Sequence, residues 1–198
     1  MAKGSGSTKA SSPNSSNSLT PKDEQRLIQG FKNYMELYTS SKYSDADVRA
    51  FEKMVEKSTY NGELYRGTVF ETEKELNDFL ARIRSKKELT SLNDFTPSPS
   101  EEALGLGFNK QRAKNRSIVS FSTDFRAEYA ISDYRYEEDL PQYPVMFHMK
   151  KRSVAGKYLQ SEAEVAVSIK KSKLKVESIH KIKDDYFPDG FYYRIELS

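Results

Sequence analysis

Apolar residues are almost missing from residues 1–19, "MAKGSGSTKASSPNSSNSL", and then appear at regular spacing. Leu27, Phe31, Tyr34, Met35 and Tyr38 recur at the period of one helix face. Thr20 can cap that helix, Pro21 fits its first position, and Asp23 places negative charge in its first turn. A second helix is predicted over "SDADVRAFEKMVEK", capped by Ser44, with Val48, Phe51 and Val55 on one face and "YNG" breaking it. A third runs through "TEKELNDFLARI", with Thr72 as cap, Glu75 completing a capping box, and Leu76, Phe79, Leu80 and Ile83 inward. Between the second and third lies a short strand, "ELYRGTVF".

Beyond residue 116 the pattern changes to runs rich in β-branched and aromatic residues. Strands are predicted at "RSIVSFST", "YPVMFHMK", "EVAVSI", "KLKVESIHKI" and "FYYRIEL". A helix, "DFRAEYAISDYR", capped by Asp124, separates the first two. Residues 86–116 read as a long loop, and long loops are usually functional or mobile. "KRSVAGKYLQ" reads as a second loop, which Gly156 lets move. Helices first and strands after give an α+β class.

Composition narrows this picture. The 198 residues suit one domain over 20–198, after a Ser-rich tail at 1–19 expected to be disordered. No apolar run approaches the roughly 18 residues of a membrane helix, and no apolar signal-peptide segment is evident. With no cysteine, thiolate chemistry and disulfides are excluded. Only His148 and His180 are available, so a histidine metal site or a Ser-His-Asp triad is not expected, and both read as structural strand residues. The net charge is +3, but Lys3, Lys9 and Lys22 account for it; the remaining 29 basic residues equal the 29 acidic ones. A neutral body does not mark a dedicated nucleic-acid binder, although Lys110, Arg112, Lys114 and Arg116 form one basic cluster and Lys170, Lys171, Lys173 and Lys175 another.

Three short segments carry candidate chemistry. Arg66 ends a predicted strand, and Gly67 after it frees the backbone. Ser120, Ser122 and Thr123 end another strand ahead of Asp124. Glu162 and Glu164, in "QSEAEVAV", stand at the entry of a third. In a regular strand residues two apart share a face, so the two carboxylates would lie side by side and one pKa would rise. Taken singly, each segment also reads as ordinary structure: a surface Arg, a hydroxyl cap, a solvated strand end.

In combination and in that order, an Arg, a Ser-Thr strand end and Glu-x-Glu-Val resemble the R-S-E class of mono-ADP-ribosyltransferases. The resemblance spans residues 25–198. It implies two small, roughly perpendicular β-sheets forming a cleft for NAD, with N-terminal helices packed alongside. It implies NAD as substrate, no metal, and transfer of ADP-ribose to a target protein with release of nicotinamide. By resemblance Arg66 and Gly67 face NAD's phosphates and adjoining ribose. Ser122 holds the catalytic carboxylate, and Thr123 shapes the pocket. Glu164 binds the ribose and stabilises its cation, while Glu162 orients the acceptor; Glu rather than Gln at that position goes with arginine acceptors. Phe125, Tyr129, Tyr134 and Tyr136 are candidates to stack on the nicotinamide. Relatives often carry an aromatic three positions before the first Glu; here Leu159 stands there and Tyr158 precedes it. The expectation is a monomer in the cytoplasm of a host or target cell, either a phage protein or an injected effector, acting on host proteins. Two alternatives stay open: an NAD glycohydrolase with water as acceptor, and a non-enzymatic module binding nucleic acid or protein.

Overall fold

The structure is a computed structural model that describes residues 20–30, 34–96, 116–125, 143–159, 163–185 and 190–198. The predicted tail and most of the helix predicted from Asp124 lie outside them.

The N-terminal part is helical: α1 (Pro21–Gly30), α2 (Tyr34–Thr39) and α3 (Asp45–Lys57). Thr20 caps α1 reciprocally with Asp23, its Oγ1 accepting from the Asp23 amide at 3.2 Å. Ser44 and Asp47 form a capping box at α3, which buries Val48, Phe51, Met54 and Val55. "YNG" does not lie at the helix end as expected. α3 stops at Lys57, and Tyr60, Asn61 and Gly62 already belong to β1 (Thr59–Phe70), which is longer than the predicted strand. Its register shifts between Gly62 and Leu64, so the Gly accommodates an irregularity inside the strand. Helix α4 (Glu73–Arg84) follows, with Thr72 Oγ1 accepting from the Glu75 amide and Leu76, Phe79, Leu80 and Ile83 buried.

The second half supplies β2 (Ile118–Ser122), β3 (Tyr143–Leu159), β4 (Glu164–Ser168), a single turn of helix α5 (Ile169–Ser172), β5 (Val176–Lys183) and β6 (Phe191–Leu197). β3 has 17 residues because the segment expected as a loop continues the strand. Gly156 is not a hinge within it. Its amide bonds the Ser58 carbonyl at 3.2 Å, and a Cβ there would sit 3.2 Å from the Ala166 carbonyl and from Val165 Cγ1. A close approach of β3 to β4 requires the missing side chain.

The strands run in the order β1-β2-β4-β3-β6-β5, with β1 also paired to β3. Four strands thus close on themselves, and β6 and β5 extend from the N-terminal half of β3. The two sheets that the resemblance implies are two wings of one connected ladder, joined through the long β3. Inside the ring, alternate residues of these strands, Leu64, Phe121, Phe147 and Val165 among them, pack with the buried face of α4. Full burial of each such side chain contributes roughly 1.5–3 kcal/mol. The other face of β2 and β4, through Ile118 and Ala166, packs with Leu27, Leu37, Tyr38 and Phe51 of α1–α3. Every residue of β4 is therefore buried, which explains its near-continuous apolar run. No helix among the described residues is long and apolar enough to cross a membrane.

Candidate functional site

Glu164 is the first residue of β4, a strand flanked by β2 and β3. Its backbone faces Ser122 on one side and Leu159 on the other. The carboxylate is buried, and its Oε1 accepts a short hydrogen bond from Ser120 Oγ. Ser120 lies two residues before Ser122, on the same face of β2 and within diagonal reach of a Glu side chain on β4.

The resemblance assigns this role to Ser122; in the structure it is the Ser120 hydroxyl that bonds Glu164. Ser122 Oγ accepts from the Asp124 amide and donates to the Asp124 carbonyl, both at 2.9 Å. Its hydroxyl is spent on the turn that starts the next segment. Thr123 is tied to the residue before β4. Its amide and its Oγ1 both donate to the Ala163 carbonyl, at 2.8 and 3.1 Å. Ala163 holds φ at +53°, a left-handed conformation costing roughly 1–2 kcal/mol without glycine. Thr123 thus clamps the strained residue that aims the chain into Glu164.

Ala163 is a turn residue and β4 begins at Glu164. Glu162 itself lies outside the described residues.

Arg66 comes from β1, where its backbone pairs with Phe147 of β3. Its Nη1 donates to the Ser120 carbonyl at 3.0 Å. The Nε is buried and makes no hydrogen bond among the described residues. Ser120 therefore links two other strands, its carbonyl holding the Arg66 guanidinium and its hydroxyl holding the Glu164 carboxylate. Arg66, Ser120 and Glu164 are brought together from positions 54 and 44 residues apart in the chain. Gly67 continues β1 beside Arg66, opposite Met146.

Around this centre, Tyr65 backs the strand crossing, its backbone opposite both Ser122 and His148. Burial and the Glu63 carboxylate beside it push the Tyr65 hydroxyl pKa up to about 12. Phe125 meets the Tyr65 ring edge-on, with centroids 5.4 Å apart. It is the one nicotinamide-stacking candidate among the described residues; Tyr129, Tyr134 and Tyr136 lie outside them. Tyr158 is exposed near the end of β3, whereas Leu159 is buried. Sequence reasoning noted Ser120 only as a strand residue. Its spacing of two from Ser122 was the available signal, because it puts both hydroxyls on one face. Tyr65 carried no signal beyond preceding Arg66. Among the described residues no three His, Asp or Glu side chains group as ligands for a metal ion.

No protein-family model matches this chain, and no curated protein does. Solved structures of ADP-ribosyltransferase toxins do. The ADP-ribosyltransferase Vis in complex with agmatine is 16% identical, with a TM-score of 0.45, covering 94% of this chain and 78% of that one. C3larvin toxin from Paenibacillus larvae is 13% identical, with a TM-score of 0.42, covering 88% of this chain and 93% of that one. The ADP-ribosylating toxin BECa of C. perfringens, with NADH, is 12% identical at a TM-score of 0.33, covering 89% of this chain and 39% of that one. These are likenesses of layout; the functional case stands on the Arg66, Ser120 and Glu164 geometry.

Proposed function

We propose that the chain is a mono-ADP-ribosyltransferase that cleaves NAD and passes ADP-ribose to arginine side chains of a target protein. The observation that carries this reading is the link through Ser120, whose carbonyl receives the Arg66 guanidinium and whose hydroxyl donates to the buried Glu164 carboxylate. Cleavage of the nicotinamide–ribose bond develops an oxocarbenium-like cation, as in glycoside hydrolysis. A carboxylate held in place by a hydroxyl stabilises that charge without reorganising. Glu164 takes this role, against the ribose of the nicotinamide. Arg66 receives the diphosphate, for which a planar guanidinium gives bidentate charged hydrogen bonds, and its buried Nε is a donor such a ligand would satisfy.

In the reaction, the C1′–N bond breaks and its electron pair leaves with nicotinamide. A guanidinium nitrogen of the acceptor bonds to C1′ and loses a proton to Glu162, which serves as base. Thr123 holds the strained Ala163, the residue between Glu162 and Glu164 in the sequence. Tyr158, exposed near that turn, is a contact for the target protein. Host or target-cell cytoplasm is the setting in which NAD and such targets meet.

The test is incubation of the protein with labelled NAD and bacterial or eukaryotic lysate, alongside Glu162→Gln. The expected result is label on discrete proteins, removable by hydroxylamine as arginine linkages are, and lost in Glu162→Gln while nicotinamide release persists. Nicotinamide release without label in either sample would replace transfer by hydrolysis. Neither signal would return the chain to the binding-module reading.

A further inference from the structure

The face that carries Ser120, Ser122 and Glu164 runs on across the sheet. Glu164 of β4 lies opposite Ser122 of β2, and Ser122 lies opposite Tyr65 of β1. Tyr65 lies opposite His148 of β3, His148 opposite Glu196 of β6, and Glu196 opposite Ser178 of β5. Each strand thus gives one polar residue to a single cross-strand row, and directly opposed residues share a face. Strands stand about 4.8 Å apart, so Tyr65 follows Glu164 at roughly 10 Å along the row. The first ring met on leaving Glu164 along it is that of Tyr65.

That ring is held from several sides. It stacks on the imidazole of His148, with centroids 5.0 Å apart and planes 4° from parallel. Its hydroxyl bonds Glu63. His148 is buried and faced by a carboxylate at each nitrogen: Glu63 Oε1 stands 2.7 Å from Nε2, and Glu196 Oε2 stands 2.8 Å from Nδ1. The other oxygen of Glu196 lies 2.8 Å from Arg194 Nε. Burying such a group costs desolvation and adds little net stability compared with apolar packing. Its effect here is to fix the plane of one aromatic ring. Phe125 meets that ring edge-on, and the buried Met146 and Tyr192 pack with the pair. Tyr65 and Phe125 stay partly exposed.

We propose that Tyr65 is the surface against which the nicotinamide ring of NAD rests, and that His148 is its positioning residue. The proposal rests on the reading of the chain as an NAD-cleaving enzyme. With the ribose at Glu164, the ring it carries extends along the row towards Tyr65, and the Tyr65–Phe125 corner receives a flat aromatic group. A phenol already stacked on a fixed imidazole is oriented before the ligand arrives, so less side-chain entropy is lost on binding. The contact is present before and during bond cleavage, so it acts on KM rather than on kcat.

The experiment compares NAD with ADP-ribose, which lacks the nicotinamide. Calorimetric titrations are run on the full chain in the Glu164→Gln background, so that NAD is bound without being cleaved. Tyr65→Leu should weaken NAD about tenfold and leave ADP-ribose binding as it was. Tyr65→Phe keeps the ring and should recover most of that loss. His148→Gln should weaken NAD about three- to tenfold, the cost of ordering one side chain on binding, again without effect on ADP-ribose. With Glu164 restored, Tyr65→Leu should raise KM for nicotinamide release more than it lowers kcat. Tyr65 is partly exposed, so its variants decide the matter where the buried His148→Gln fails to fold. If both ligands bind but Tyr65→Leu weakens them alike, or weakens neither, the role of Tyr65 is overturned while the NAD reading stands. Full NAD affinity in a folded His148→Gln would overturn the positioning role. Binding of neither ligand by the folded chain would overturn the NAD reading itself, and this proposal with it.

Discussion

Replacing Ser120 by Ala removes one hydroxyl whose only described bond is to Glu164 Oε1. The backbone carbonyl that receives Arg66 stays, so the guanidinium keeps its anchor. Hydrogen bonds to charged groups contribute about 1.5–3 kcal/mol. If that interaction holds the carboxylate in its working position, the same amount is lost from transition-state stabilisation. At about 1.4 kcal/mol per factor of ten, nicotinamide release should fall roughly 10- to 150-fold. Ser122→Ala is the matched control. Its hydroxyl bonds only Asp124 backbone groups in the described structure, so the loss should be about 0.5–1.5 kcal/mol of stability with activity within a few-fold of wild type. The assay is nicotinamide release under saturating NAD, with thermal unfolding measured on the same samples. A large loss in Ser122→Ala with an unaffected Ser120→Ala would refute the reasoning and restore the assignment made by resemblance.

Three further outcomes follow from the packing. Gly156→Ala should destabilise the fold by about 1–3 kcal/mol, since its Cβ meets the Ala166 carbonyl and Val165; an unchanged urea midpoint would contradict the close approach of β3 and β4. Ala163→Gly should raise stability by up to about 1 kcal/mol by relieving the left-handed strain, and a lower melting temperature would show that none is stored there. Burial alone would raise the Asp94 carboxyl pKa, but the bond from Lys86 and the Thr90 and Ser91 amides outweigh it and lower it. A group lowered on folding adds stability above its unfolded pKa and loses it as pH falls through its folded pKa. Asp94→Asn should therefore cost about 3 kcal/mol near neutral pH and progressively less below about pH 4, and a pH-independent cost would argue against the ion pair.

Much of the fold could be read from local patterns. Ser44, Thr72 and Thr20 announced their helices because capping is chemistry between residues three apart. The strand cores at 118–122, 164–168 and 191–197 showed as β-rich runs. What escaped was set by partners distant in sequence. The segment 151–159 looked like a loop for its Lys, Arg and Gly, yet β1 and β4 pair with it along its length. Gly156 looked like a hinge, although the need for glycine comes from Ala166 on another strand. In the site, Arg66 and Glu164 stood out by residue type and order. The choice between Ser120 and Ser122 was not legible, because it depends on which hydroxyl the Asp124 turn consumes.

The central claim is that Glu164, held by the Ser120 hydroxyl, drives cleavage of NAD. The most direct measurement is nicotinamide release from NAD by wild type and Glu164→Gln, with melting temperatures recorded for both. The account predicts release by wild type and at least about a 100-fold loss in the variant at an unchanged melting temperature. Equal release by the two proteins, or none from folded wild type, would contradict it.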